Sequence, residues 1–248
     1  MNVSKYSANG NDFVIFHALE KKDRTKLAQE LCNRQNGVGA DGLIVLIPNN
    51  KYDFEWEFYN SDGSHADMCG NGSRACAHYA YINEIAPKKM SFLTGAGVIN
   101  AEIKKSHGKK TGMVLSELTV PKIIETEIEF NNKIWWKLDT GVPHMVCLMD
   151  NIDNFDIKEA RELRQKYNAN VNIAKVNEDG SLSVRTYERG VESDPSGRGS
   201  DLAACFYRAF KEEKVGESIE VYPTKIGRAH LNAEIKKSHG KKTGMVLS

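Results

Sequence analysis

The feature that most restricts the fold is a weak repeat with a spacing of roughly half the 248-residue chain. Gly10-Asn11-Asp12-Phe13 is answered by Gly141-Val142-Pro143-His144, and Gln29-Glu30-Leu31 by Arg161-Glu162-Leu163. Gly39 to Val45 corresponds to Val171 to Val176, and Tyr59-Asn60 to Tyr187-Glu188. Cys69-Gly70-Asn71-Gly72-Ser73-Arg74-Ala75-Cys76 aligns with Arg198-Gly199-Ser200-Asp201-Leu202-Ala203-Ala204-Cys205. Each match is weak alone; their shared order and spacing are not, and they read as an internal duplication. The expectation is two pseudo-symmetric α/β (α+β) lobes, residues 1–118 and 119–248, each a mixed or antiparallel sheet around a central helix. A second repeat is of another kind. Ala101 to Ser116 recurs without a change as Ala233 to Ser248, which a duplication drifted this far would not leave, so it points to a recent copying event.

Within the first half, Asn60 to Tyr81 is the organising stretch. Before it, Phe54, Trp56 and Phe58 alternate with Asp53, Glu55 and Glu57, the period of a half-buried strand with its acids outward. After it, Ala75, Tyr79, Ile82 and Ala86 recur at helical spacing until Pro87. Cys69 is therefore placed just ahead of a helix start, whose free N–H groups and partial positive charge stabilise a thiolate and bind a carboxylate. Around this, Asn11 to Phe16 reads as a first strand, Asp23 to Arg34 as a helix and Leu43 to Ile47 as a strand. Met90 to Ile103 reads as a further β stretch kinked or bulged at Gly95 and Gly97.

Composition removes several classes. A net charge of +1 supplies no broad basic face for nucleic acid. No apolar run approaches a membrane span, and the N-terminus opens without an apolar signal core. Five cysteines with no C-x-x-C pair make a reducing cytoplasm the expected compartment. No histidine pair has ligand spacing, so no metal is expected. C-G-N-G-S-R lacks the Gly-Lys-Ser/Thr ending of a phosphate loop.

The motifs G-N-D-F at Gly10, G-A-D-G at Gly39, F-Y-N-S-D-G-S at Phe58, M-C-G-N-G-S-R at Met68, T-G-V-P-H at Thr140, N-V-N at Asn170 and Y-E-R-G at Tyr187 resemble the diaminopimelate epimerase family, in order, as far as about Tyr222. The resemblance implies two lobes acting on LL- or meso-diaminopimelate without any cofactor, one cysteine per lobe serving as acid or base on opposite faces of the α-carbon. By position it implies Cys69 as the first thiol, with the Gly70 and Asn71 amides, and Gly199 and Ser200 of the second lobe, binding substrate. Asn11, Asn60, Asn172 and Arg189 would grip the amino acid, mainly at its distal end; Glu188 would meet the reacting amino group. His144 and Glu188 would tune the thiols. Val142 stands where many members have asparagine. The second thiol's position holds Arg198, and Cys205, about two turns into its helix, is too far along to replace it.

Each residue also has a plainer reading. A free cysteine is usually a small buried hydrophobe, the expected fate of Cys32, Cys76, Cys147 and Cys205. Asn60 and Asn172 would pass as turn residues, His144 as a turn histidine, and Glu188-Arg189 as a strand-end ion pair. Arginine stays protonated and cannot act as an ordinary acid or base. The expected function is thus epimerisation in lysine and cell-wall synthesis on a small dicarboxylic amino acid. The alternatives are a catalytically defective binding homologue and a related racemase or isomerase. A homodimer is left open.

Overall fold

The computed structural model describes residues 2–8, 10–108, 111–118, 121–153, 155–187, 199–223, 231–238 and 241–247, with 118, 220, 222–223, 231–232, 234–238 and 241–247 described by backbone alone. The chain divides into two compact units, Met1–Glu117 and Leu118–Ser248. Glu188, Arg189 and Arg198 lie outside the described residues.

The first unit runs β1 (Ser4–Ala8), β2 (Asn11–His17), α1 (Thr25–Cys32), β3 (Gly42–Ile47), β4 (Phe54–Asn60), α2 (Gly70–Ile82), β5 (Lys89–Thr94), β6 (Gly97–Ser106) and β7 (Gly112–Leu118). Strands pair in sequence order, β2–β3 and β4–β5 parallel and the rest antiparallel. The mixed sheet curls around α2, which packs on β1, β2, β3 and β6. Glycine, serine and alanine fill much of α2, and its residues from Gly70 to Ala80 are buried. Small side chains let the strands approach the helix closely on several sides, so no polar face is left over.

A short helix, α1, covers the other face of the sheet at β2, β3 and β4. All of β3 is consequently buried: Ile44 and Leu46 join the α2 core with Phe13, Phe54 and Trp56, while Leu43 and Val45 join Ala28 and Cys32 under α1. This corrects the expectation for β4. Phe54, Trp56 and Phe58 do share the core face, but Glu57 on the opposite face is 6% exposed and paired with Arg24, which leads into α1. Two further corrections follow from turns. Gly10, at φ +80°, reverses the chain so that β1 pairs with β2, a hairpin the sequence reading lacked. Gly95 belongs to the turn joining β5 to β6 rather than to a bulge; the register shift falls at Ile103/Lys105.

The second unit repeats the plan: β8 (Lys122–Phe130), β9 (Lys133–Asp139), β10 (Pro143–Leu148), α3 (Ile157–Tyr167), β11 (Asn170–Val176), β12 (Leu182–Tyr187), α4 (Gly199–Lys211), β13 (Ser218–Pro223), β14 (Leu231–Ser238) and β15 (Lys241–Leu247). Again two neighbouring pairs are parallel, β10–β11 and β12–β13, and the others antiparallel. α4 lies against the strands from β9 to β15, and α3 takes the place of α1. Among the described residues, the hairpin β8–β9 makes β8 the one strand without a counterpart. Identical residues do not pair identically in the copied segment: Ala101 faces Ser116 in β6–β7, whereas Ala233 faces Leu247, the counterpart of Leu115, in β14–β15.

Candidate active site

Residue by residue, the start of α2 is built for a thiol. Cys69 is the N-cap, extended at φ −150° and ψ 116°, and its carbonyl accepts from the Ser73 amide at 2.8 Å. Its Sγ accepts from the Gly72 amide at 3.3 Å and donates toward Asn11 Oδ1 at 3.6 Å. The side chain is partly exposed, whereas Cys32, Cys76, Cys147 and Cys205 are buried. Burial pushes the Cys32 and Cys147 thiols up to about 11 and those of Cys76 and Cys205 well above their ordinary value. These four pack in cores as expected, and Cys69 stands apart from them.

Gly70 and Asn71 form the first turn, and both are buried. Asn71 Oδ1 accepts from Arg74 Nη2. Arg74 is 7% exposed and its Nη1 has no hydrogen-bond partner. Burial pushes its guanidinium down to about 10, against an opposing pull from Cys69, so it remains a cation at neutral pH. A buried charge ordinarily sits beside an opposite one. Among the described residues no carboxylate pairs with Arg74, so the anions that fit are a Cys69 thiolate or a carboxylate seated on the helix start. The sequence reading missed Arg74, although M-C-G-N-G-S-R contains it.

Asn11 opens β2 and is 7% exposed. Its Nδ2 donates to Asp41 Oδ2 at 2.6 Å. Asp41 was likewise missed; it lies just before β3, which runs parallel to β2. Asn60, at the end of β4, donates to Ser64 Oγ at 3.0 Å.

In the second unit His144 and Asn172 occupy adjacent parallel strands, and each is fully buried. His144 Nδ1 lies 3.1 Å from Asp201 Oδ1, and Asp201 is in the first turn of α4 with no exposure. A carboxylate only accepts, so the Nδ1 proton points to Asp201. The Asn172 amide, 3.2 Å from the same nitrogen, then turns its hydrogens to the Met145 carbonyl at 3.2 Å, while its oxygen accepts from Thr186 at 2.8 Å. His144 Nε2 is left buried without a partner. Asn172, which would pass from sequence as a turn residue, is a strand residue bonded within its own sheet. Gly199 and Ser200 open α4, and the Ser200 carbonyl accepts from Thr140 at 3.4 Å. Val142 is 41% exposed. Among the described residues no cluster of His, Cys, Asp and Glu can hold a metal ion, and no helix is long and apolar enough to cross a membrane.

Comparison with known proteins places this geometry among relatives. Residues 3–121 match the family model described as diaminopimelate epimerase. A diaminopimelate epimerase of a Nitratiruptor species is 52% identical over 237 residues, covering 96% of this chain and 92% of the relative. One from Campylobacter jejuni is 50% identical over 239 residues, covering 95% and 93%. Among solved structures, a probable proline racemase from Agrobacterium radiobacter K84 superposes with a TM-score of 0.75 at 12% identity, covering 99% of this chain and 88% of the other. A Bacillus anthracis phenazine biosynthesis protein of the PhzF family gives 0.72 at 14%, covering 99% and 93%. These last two share the fold.

Proposed function

Because the chain belongs to the diaminopimelate epimerase family, we propose that it epimerises diaminopimelate between its LL and meso forms, by thiol acid–base chemistry and without a cofactor. Removing a proton from the α-carbon of an amino acid that carries no imine is difficult. The developing charge must be spread into the carboxylate and met by fixed N–H donors. The Gly70 and Asn71 amides at the start of α2 supply such donors, with the Arg74 cation buried beneath them. Cys69 gives or takes the proton on one face, and a second acid–base group does the reverse on the other. The observation that carries this reading is the sulfur of Cys69 at the N-cap of α2, within 3.3 Å of the Gly72 amide.

Asn11 and Asn60 in the first unit and Arg189 in the second are proposed substrate contacts, Glu188 the partner of the amino group, and Gly199 and Ser200 a second set of amides at the start of α4. His144 is proposed to act with the second acid–base group. The place of the reaction is lysine and peptidoglycan precursor synthesis in the cytoplasm.

A second reading rests on Arg198, which stands where the family resemblance puts the second thiol. A guanidinium cannot exchange a proton near neutrality, so this reading is of a chain that binds substrate and inverts it slowly. The test is α-hydrogen exchange and stereoisomer conversion of LL- and meso-diaminopimelate in D₂O. Cys69→Ala is expected to lower exchange by about 10²–10⁴-fold, and Arg198→Cys to speed inversion. Exchange surviving in Cys69→Ala would overturn the thiol assignment. Rapid inversion by the unaltered chain would discard the slow-turnover reading.

A further inference from the structure

In the second unit, β9 and the start of α3 enclose a small cavity whose lining includes Lys133, Trp135, Phe155, Asp156 and Glu159. Asp156 and Glu159 have the spacing of a capping box, in which the acid at the third helical position returns to the amide of the cap. Glu159 takes another course. It is 7% exposed, and its Oε2 pairs with the Lys133 ammonium from β9. Its Oε1 is buried with no hydrogen-bond partner.

Trp135 has the opposite need. Two residues beyond Lys133, it shares that face of the strand and is 1% exposed, and its indole Nε1 is likewise buried and unpartnered. Trp136, on the other face, donates its own indole N–H to Glu127 at 3.3 Å. An indole N–H only donates and a carboxylate oxygen only accepts. Trp135 and Glu159 thus line one cavity and match in kind, yet these two atoms do not bond each other. Left bare, each would cost stability, since both have given up water on folding.

Size and chemistry select the occupant. The space open to the centre of a water molecule is about 10 Å³, close to the roughly 10–15 Å³ that one water requires. All the unfilled space, mouth included, is about 230 Å³, below the roughly 300–1,000 Å³ of pockets that take metabolites or cofactors. The occupant must accept a hydrogen bond from Trp135 and donate one to Glu159. A cation cannot accept from the indole, and an anion is repelled by the carboxylate. Water does both, and the Lys133 ammonium lines the same cavity as a further donor. We propose that this cavity is a binding site for one water molecule, which accepts from Trp135 Nε1, donates to Glu159 Oε1 and so ties the first turn of α3 to β9. No residue of the proposed active site lines it, so it stands whatever the chain catalyses.

Two measurements on the full chain test the site. In a crystal structure, one water is expected within about 2.7–3.2 Å of both Trp135 Nε1 and Glu159 Oε1. In solution, the three tryptophan indoles are labelled with nitrogen-15. The Trp135 indole proton is then expected to show a nuclear Overhauser cross-peak to water with the sign of a molecule that turns with the protein. Repeating the measurement in the rotating frame distinguishes it from proton exchange, which gives the opposite sign there. The Trp135 resonance is identified by its loss in Trp135→Phe; should that variant fail to fold, Trp56→Phe and Trp136→Phe identify it by elimination. Direct contact between Trp135 and Glu159, an empty cavity, a larger molecule seated in it, or a Trp135 indole without the cross-peak overturns the proposal.

Discussion

Glu57 shows how a side chain can satisfy a pattern and still be misplaced by it. The alternation of Phe54, Trp56 and Phe58 with acids identifies β4 and its core face. It carries no information about what covers the opposite face, because α1 lies at a distance in sequence and Arg24 is 33 positions away. The side chains of Arg24 and Glu57 are 2% and 5% exposed, so the pair is desolvated and each charge depends on the other. Removing one partner from such a pair costs about 3–5 kcal/mol, whereas replacing both by apolar groups is often neutral. Urea denaturation is expected to show that loss for Glu57→Gln and its recovery in Arg24→Met/Glu57→Leu. A single variant within about 0.5 kcal/mol of the parent would mean that water reaches the pair. Asp41 and Arg74 escaped the sequence reading for a similar reason: their roles depend on which atom of a neighbour they touch.

Helix starts were legible to different degrees. The spacing after Asn60 and the stop at Pro87 place α2, and Cys69 falls at its N-cap as read. The cap of α3, Asp156, was not singled out, although its carboxylate accepts from the Lys158 and Glu159 amides. The contrast between these caps carries an expectation. Aspartate and serine are strong N-caps, and a sulfur accepts hydrogen bonds weakly. On the proposed thiol chemistry, α2 begins with a residue that serves the reaction over helix stability, a trade common at functional sites. Cys69→Ser is expected to hold or raise stability, by about 0.5 kcal/mol, while abolishing α-hydrogen exchange. A clear drop in melting temperature would show that the sulfur is needed for packing.

The repeat in the sequence foretold the repeated topology, since two halves with matching landmarks must each close a sheet around a helix. It could not foretell β1 or β8, which lie outside the aligned landmarks, nor the burial of Asn172, whose partners come from β10 and β12. Burial also sorts the thiols of the whole chain. With burial pushing Cys32 and Cys147 up to about 11 and Cys76 and Cys205 well above their ordinary value, Ellman's reagent at neutral pH is expected to titrate one thiol rapidly in the native protein and all five after denaturation. A second fast thiol in the native state would contradict the buried placement of those four. The copied segment has a further consequence. Glu102 sits across from Leu115, but its twin Glu234 sits across from Val246, the twin of Val114. One change written into both copies would thus meet a different companion in each, and the two are free to evolve apart from the first mutation onward.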